Sequence, residues 1–397
     1  MRVSTRGAYL AGLQAIQRLQ SALDYTQRQI SSGRRIVNPS DDPIASARAI
    51  EFSEAISRLE QFDRNATIAA NRLSQEEAAL SSINDTLQRV RELALQGNNA
   101  TQSNESRALI AVELREHLDH LVQLANQQDG NGSYLFAGNL ENTQPVTRMG
   151  STYTYNGDQG QRLIQVGEGR QVADSDPGSA VFFRIRNGNG AFSAIAADTN
   201  AGSGVIGASN VTDPTQYDQD TYTIRFDSPT DYTIFDGAGS NIGTGTYASG
   251  DSIAFRGIEF SMTGDPAAND VFTVAPSAFQ SMFDTVDQLA TALEQPVTDG
   301  ASRAALNNDM NFSILNIEQA LGNILDVRTQ VGARLAAIES QVDSNGGQAL
   351  TLQTALAEIR DLDYAEAISR LSSEAATLEA AQATFVRTQQ LSLFNYF

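Results

Sequence analysis

Long stretches without proline at both ends of the chain constrain its fold most. Proline is absent between Pro43 and Pro145 and again after Pro296, whereas 21 of the 30 glycines lie between residues 129 and 276. Proline interrupts helices and glycine weakens them, so both flanks can form long helices while the middle is rich in turns. The sequence therefore predicts a mainly helical protein that carries an insertion of another kind.

Apolar residues recur every seven positions at both ends of the chain. We call these two sets the terminal seams: Tyr9, Ile16, Leu23 and Ile30 near the N-terminus, and Tyr364, Ile368, Leu371, Leu378 and Phe385 near the C-terminus. A seven-residue repeat keeps an apolar seam facing a partner helix, as in a coiled coil. Neither seam can be buried by its own helix, so we expect them to pack on each other, on neighbouring subunits, or on both.

The same repeat also fits an ordinary amphipathic core helix, which is the alternative interpretation. Within the seams, positions such as Gln20 and Gln382 are polar, which makes an isolated coiled coil weak. Weak terminal helices that order only on assembly would be disordered in the monomer.

Apolar periodicity predicts further helices between the two seams. The predicted spans are 43–96, 104–127, 279–294, 302–342 and 348–391. Helices this long need partners along their length, so we expect a long rod, an antiparallel helix bundle built from both chain ends, with terminal coiled-coil helices.

The middle of the chain alternates polar with β-branched or aromatic residues and reads as strands. Predicted strands include "STYTYNG", "RLIQVG", "AVFFRIRNG", "TYTIRFDSPTDYTIFDG", "SIAFRGIEFSM" and "DVFTVAP". Turn residues end each of them. The fold class that follows is mainly α with an inserted all-β domain, which we expect to be antiparallel.

The stretch "ISSGRRIVNPSDDP" is predicted to be a joint between two helices. Gly33 suits the left-handed residue that ends a helix, and Asp42 followed by Pro43 suits the start of the next. Asp41 adds negative charge at the positive end of that helix, and Pro39 keeps the residue before it extended. Each unusual residue thus has a local role in ending one helix and beginning another.

Two alternatives for the joint are an anion site at Arg34 and Arg35 and a metal site at Asp41 and Asp42. A metal site needs further carboxylates or histidines, and none is nearby in the sequence. The joint is therefore the favoured interpretation.

Other motifs that could carry chemistry have simpler interpretations. His117 and His120, with Glu113 and Glu116 close by, have a spacing that zinc could use, but a solvated face of an amphipathic helix explains them better. The glycines of residues 237–243 precede a predicted strand rather than the helix that a dinucleotide-binding loop requires. We find no catalytic constellation and predict no enzyme activity, cofactor or metal.

The composition of the chain argues against several classes of partner and site, and its N-terminus argues against a secretory signal. The formal net charge is −20, and all 27 basic residues are arginine, without a basic run, so we expect neither nucleic acid nor anionic membrane as a partner. Cysteine is absent, which excludes disulfides and thiolate metal sites. The first 20 residues lack the apolar core of a secretory signal, which favours the cytosol or another export route.

Several of these stretches resemble the flagellin family of bacterial flagellar axial proteins. The similar segments are "QISSGRRIVNPSDDP", the C-terminal "DLDYAEAISRLSSEAATLEAAQATFVRTQQLSLFNYF" and the paired seams. "NGSYLFAGN", "YNGDQGQRLIQVGEG", "MRVST" and "LFNYF" are closer to the hook-associated branch than to flagellin itself. The agreement covers about the first 170 and the last 40 residues.

The resemblance implies a three-part domain organisation. Residues 1–42 with 360–397 would form an inner domain, residues 43–135 with 277–359 the helical rod, and residues 136–276 an outer β domain. The implied role is structural: a ring of the hook–filament junction between hook-associated protein 1 and flagellin, formed by contacts between copies.

The resemblance also implies how the protein reaches its place. It would leave the cell unfolded through flagellar type III export, escorted by a cytosolic chaperone, and would act outside the cell without a cleaved signal peptide. A flagellin-type filament subunit is the near alternative. A secreted carbohydrate-binding or degrading β domain on a helical stalk, using Asp227, Asp231, Tyr232 and Asp236, is the alternative of another class.

Overall fold

A computed structural model of the protein describes residues 5–390. The helices in this range are α1 (Thr5–Ser32), α2 (Pro43–Gly97), α3 (Asn104–Ala125), α4 (Met282–Glu294), α5 (Gly300–Arg360) and α6 (Tyr364–Gln390). The strands are β1 (Val146–Met149), β2 (Thr152–Tyr155), β3 (Leu163–Gly167), β4 (Arg170–Ala173), β5 (Ile185–Arg186), β6 (Phe192–Ala196), β7 (Val205–Val211), β8 (Tyr222–Ser228), β9 (Asp231–Phe235), β10 (Asn241–Thr246), β11 (Ser252–Phe255), β12 (Ile258–Thr263), β13 (Val271–Pro276) and β14 (Phe279–Gln280). The terminal "MRVS" and "LSLFNYF", which contribute to the family resemblance, lie outside the described residues.

The chain divides into two compact units. We call residues up to 64 and from 340 onwards the terminal unit, and residues 65–339 the central unit. The terminal unit contains α1, α6, the first part of α2 and the last part of α5, so its described residues are helical apart from the breaks at 33–42 and 361–363. The central unit contains the rest of α2 and α5, together with α3, α4 and all the strands.

The helical core of the central unit follows the apolar periodicity that the sequence predicts. On α2, side chains spaced three, four or seven apart are fully buried: Leu73, Leu80, Ile83, Leu87 and Val90. Apolar positions of α3, α4 and α5 pack into the same core, for example Leu114, Phe283 and Ile324. Each such side chain contributes about 1.5–3 kcal/mol by leaving water, so this core contributes much of the stability of the unit.

The inserted β region is antiparallel. Its main sheet has the order β10-β9-β8-β13-β6, and a second sheet has the order β11-β12-β7. Phe226 lies at the centre of their shared core, with ring centroids 5.6–5.8 Å from Tyr232, Tyr247 and Phe272. The predicted fold class, mainly α with an inserted all-β domain, is confirmed.

One predicted strand is wrong over part of its length. "AVFFRIRNG" forms a π-helical turn at Ser179–Phe183 and then only the two-residue β5. Val181 and Phe182 are adjacent and both fully buried, whereas neighbours in a half-exposed strand point to opposite faces. The helical turn allows both side chains to enter the core.

The predicted helix break near residues 343–347 is also wrong. Helix α5 continues through Gly346 and Gly347, and the break lies at residues 361–363 instead. A glycine inside a helix costs about 1 kcal/mol relative to alanine, which weakens a helix without ending it. Here the helix is held by Asn345, which is buried and donates to the carboxylate of Asp63 on α2 at 3.0 Å.

Candidate assembly surface

The two terminal seams meet within the terminal unit, because α1 and α6 pack antiparallel. Near the start of α1, the ring of Tyr9 lies 5.4 Å from that of Phe385 near the end of α6. At the other end, a side chain on Gly33 would come within 2.8 Å of the hydroxyl of Tyr364. The seams are therefore partners of each other in a single chain.

This pairing leaves the seams incompletely covered. Tyr9, Tyr364 and Ile368 are 46%, 51% and 53% exposed. The other seam residues are half-buried: Ile16, Leu23, Ile30, Leu371, Leu378 and Phe385. The contact between α1 and α6 does not enclose the seams, so an apolar surface remains open to a further partner.

The side chains that α1 and α6 do bury were not found from the sequence. On α1 they are Thr26 and Gln29, at 1% and 4% exposure, and on α6 Ala367 is buried at 1%. Gln29 donates a hydrogen bond to the carbonyl of Arg35. Polar and small residues carry no apolar periodicity, so the seven-residue pattern could not indicate them.

The joint between α1 and α2 has the local structure of two capped helix ends. Gly33 has φ +67°, the left-handed conformation that ends α1. The carboxylate of Asp42 accepts from the backbone N–H of Ala45 at 3.0 Å, and Pro43 is the first residue of α2. Pro39 is exposed in the loop between them.

Asp41 has a further role that the sequence did not indicate. Its carboxylate accepts from the backbone N–H of Asn38 at 2.8 Å and from the hydroxyl of Tyr25 at 3.0 Å. The bond from Asn38 holds the pKa of the Asp41 carboxyl below its usual range. Asp41 thus closes the loop onto α1.

The second helix break, at residues 361–363, lies against the joint. The N–H of Arg35 donates to the carbonyl of Arg360 at 2.7 Å, and that of Leu362 donates to the carbonyl of Gly33 at 3.1 Å. The guanidinium of Arg35 donates to the carbonyl of Ile359 at 2.9 and 3.1 Å, where α5 ends. Asp363 begins α6 by accepting from the N–H of Ala365 at 2.9 Å. This arrangement fixes both terminal helices at one point.

The other sequence candidates do not assemble into a site. His117 is 3.8 Å from the carboxylate of Glu113, and residues 5–390 contain no group of three side chains suited to a metal. Asp227 accepts from Thr233, and Asp231 from Ser228, so these β-domain carboxylates bond within their own hairpin. Within the described range, no helix is long and apolar enough to cross a membrane.

Comparison with known proteins shows which family the chain resembles. Residues 3–141 match the bacterial flagellin N-terminal helical region, and residues 314–397 match the bacterial flagellin C-terminal helical region. Flagellar hook-associated protein 3 of Escherichia coli is 25% identical over 396 residues, which span 100% of this chain and 99% of that protein. The crystal structure of the flagellar junction protein FlgL from Legionella pneumophila is 32% identical with a TM-score of 0.73, covering 79% of this chain and 100% of that one.

The chain belongs to the FlgL (flagellar hook-associated protein 3) family. Flagellin itself matches much less of it: that of Escherichia coli is 35% identical over 137 residues, 34% of this chain and 28% of the flagellin. The likeness to flagellar hook-associated protein 3 therefore covers the whole chain, including the inserted β region, whereas the likeness to this flagellin covers about a third of it.

Proposed function

We propose that this protein is a structural subunit of the hook–filament junction of the bacterial flagellum. The observation that carries the proposal is the half-covered surface of the terminal seams on α1 and α6. An apolar surface of this kind on a helix pair is stabilised when it is buried against neighbouring subunits. Full-length similarity to flagellar hook-associated protein 3 supports the junction rather than the filament as its place.

The proposed contacts follow from the terminal seams. The protein would join other copies of itself into a ring, with hook-associated protein 1 on one side and flagellin on the other. It would travel there from the cytosol with an export chaperone and function outside the cell without a cleaved signal peptide. The three-part division into residues 1–42 with 360–397, 43–135 with 277–359, and 136–276 belongs to this proposal.

A structural role fits what the molecule offers chemically. The relatives are named as a flagellar hook-associated protein and a flagellar junction protein, which supports a structural role rather than an enzymatic one. The carboxylates that a carbohydrate site would need instead stabilise their own turns, as Asp227 and Asp231 do. We therefore assign the β region no activity of its own.

Copy number and position test the proposal together. Flagella sheared from native cells with hooks attached would be analysed by quantitative mass spectrometry, and antibody-gold labelling would locate the chain. We expect trace stoichiometry, close to one ring per filament, with gold at the hook–filament boundary. A copy number that rivals flagellin, or gold along the filament, would instead make the protein a filament subunit.

A further inference from the structure

A groove on the terminal unit combines apolar and basic residues. We call it the arginine groove; it lies along α2 where Ser53 and Ser57 provide a floor of small side chains. Ile50, 58% exposed, and Leu356 of α5, which is buried, also line it. Small residues four apart allow another helix to approach closely, and the exposed isoleucine offers it an apolar contact.

Two of the three arginines that line the arginine groove have no ion-pair partner among the described residues. Arg34, Arg58 and Arg360 line it, with Glu54 as the opposing charge. Arg360 pairs with Asp361 at 3.1 Å, but no ion pair joins Arg34 or Arg58 to a carboxylate of residues 5–390. In a chain of net charge −20, this groove is a local positive surface.

A second surface, on α3, has the opposite charge. We call it the α3 stripe: Glu105, Leu109, Val112 and Glu116, spaced four, three and four apart and therefore on one face of the helix. Leu109 and Val112 are 72% and 59% exposed. Neither Glu105 nor Glu116 forms an ion pair with any described residue. Adjacent exposed aliphatic side chains between two unpaired carboxylates mark a surface that is open in the single chain.

We propose that, in the assembled ring, the α3 stripe of one copy docks into the arginine groove of the next copy. This inference rests on the proposed function, because it needs a ring. The two surfaces match in charge and in apolar content: the groove has the exposed Ile50 beside unpaired arginines, and the stripe has exposed aliphatic side chains between unpaired glutamates. Complementary charge sets which surfaces meet and in what register.

The chemistry of the two surfaces also determines which surfaces can pair. Groove against groove, or stripe against stripe, would place like charges together, so contact of either surface with its own equivalent on a neighbouring copy is disfavoured. A groove-to-stripe contact uses two different surfaces, so a row of copies joined in this way has a free groove at one end and a free stripe at the other. Such head-to-tail contacts repeat from copy to copy and generate a ring when the rotation closes.

Cysteine crosslinking tests the contact directly, because the chain has no cysteine of its own. Ile50→Cys and Val112→Cys would be combined in one full-length chain, assembled in cells that lack the native copy, and oxidised in sheared flagella. We expect a ladder of dimers, trimers and larger multiples from the double variant and only monomer from each single variant. The matched control combines Ile50→Cys with Met149→Cys, which is 77% exposed but lies on β1, and should stay monomeric.

Other crosslinking results would overturn the inference. Monomer alone from the double variant, in flagella that carry filaments, would mean that groove and stripe do not meet. Dimers from Ile50→Cys alone would indicate a two-fold contact, and an adduct with a different flagellar protein would indicate another occupant of the groove. If gold labelling placed the unmodified chain away from the junction, the proposed function would fail first, whatever the crosslinks.

Charge reversal provides a second test that does not depend on cysteine. Arg34→Glu with Arg58→Glu should lower the crosslinked fraction about ten-fold or more, since losing 1.4 kcal/mol corresponds to a factor of ten. Adding Glu105→Arg and Glu116→Arg should restore it by exchanging the signs. Failure of this exchange, while the thermal unfolding of all variants matches the parent chain, would refute the pairing.

Discussion

The substitution Leu378→Asp should separate assembly from folding. Leu378 is half-buried against α1 in the single chain. A leucine that is fully buried contributes about 1.5–3 kcal/mol, so the monomer should lose roughly 1 kcal/mol, all of it in the terminal unit. In the assembled state the carboxylate of the introduced aspartate would be enclosed in an apolar contact, at a cost of several kcal/mol for each copy. Assembly should therefore fail while the central unit stays folded.

Two measurements on the same variant test this prediction. Thermal unfolding of the purified chain, followed by circular dichroism, should show the main transition, that of the central unit, within about 2 °C of the parent. A loss of 1 kcal/mol within the central unit would shift this transition by roughly 2–4 °C, but the expected loss lies in the terminal unit. Electron microscopy of complemented cells should show hooks without filaments. Leu23→Asp on α1 should behave alike, and Ala376→Asp, exposed on another side of α6, is the matched control. A large shift or loss of cooperativity in the main transition would place Leu378 in the monomer core and refute the reasoning.

Three further substitutions test other parts of the structure. Gly33→Ala should speed hydrogen exchange in α1 and α6, because the left-handed backbone costs alanine about 1–2 kcal/mol and the new side chain would crowd Tyr364. The control is Gly132→Ala: Gly132 has φ +84° but open space around it, so this substitution should leave hydrogen exchange in α1 and α6 unchanged. Leu114→Ala, fully buried on α3, should lower the stability of the central unit by about 2–5 kcal/mol in denaturant unfolding. Burial, together with the charge of Asp176, raises the pKa of the Glu76 carboxyl well above its ordinary value, so the folded state holds a proton that the unfolded state releases. The stability gain of Glu76→Gln over the parent should therefore grow as pH rises above about 4.5, and a constant difference across pH would contradict this.

Local chemistry explains why the helix ends were predictable. A left-handed glycine and an aspartate–proline pair act through their own backbone and the next turn of helix, so Gly33 and Pro43 mark the bounds of α1 and α2 without knowledge of the rest of the chain. The seven-residue repeats likewise indicate which faces of α1 and α6 are apolar. They leave open whether each face is covered by its own chain or by a neighbour.

Contacts between distant parts of the chain could not be predicted in the same way. Arg35 donates to the carbonyl of Ile359, 324 residues away, and only the fold brings them together. The glycines at 346 and 347 suggested a break, but α5 continues past them, because packing with α2 at Asn345 outweighs helix propensity. The arginine groove combines residues from a loop and two helices, so no local motif indicates it.

The division of charge along the chain gives a physical reason for two kinds of contact in one assembly. Residues 1–64 and 340–397 contain 12 arginines and 14 acidic residues, a formal charge of −2, which leaves −18 for residues 65–339. Terminal seams in the nearly neutral unit can be buried against other copies with little electrostatic opposition. Central units of neighbouring copies repel each other, and salt screens that repulsion only beyond about 8 Å. Placing Glu105 and Glu116 of one copy against the arginines of the next reduces the repulsion in the unit where it is largest. Burial of apolar side chains would then supply most of the affinity between copies in the ring, and charge complementarity would determine which surfaces of neighbouring copies meet.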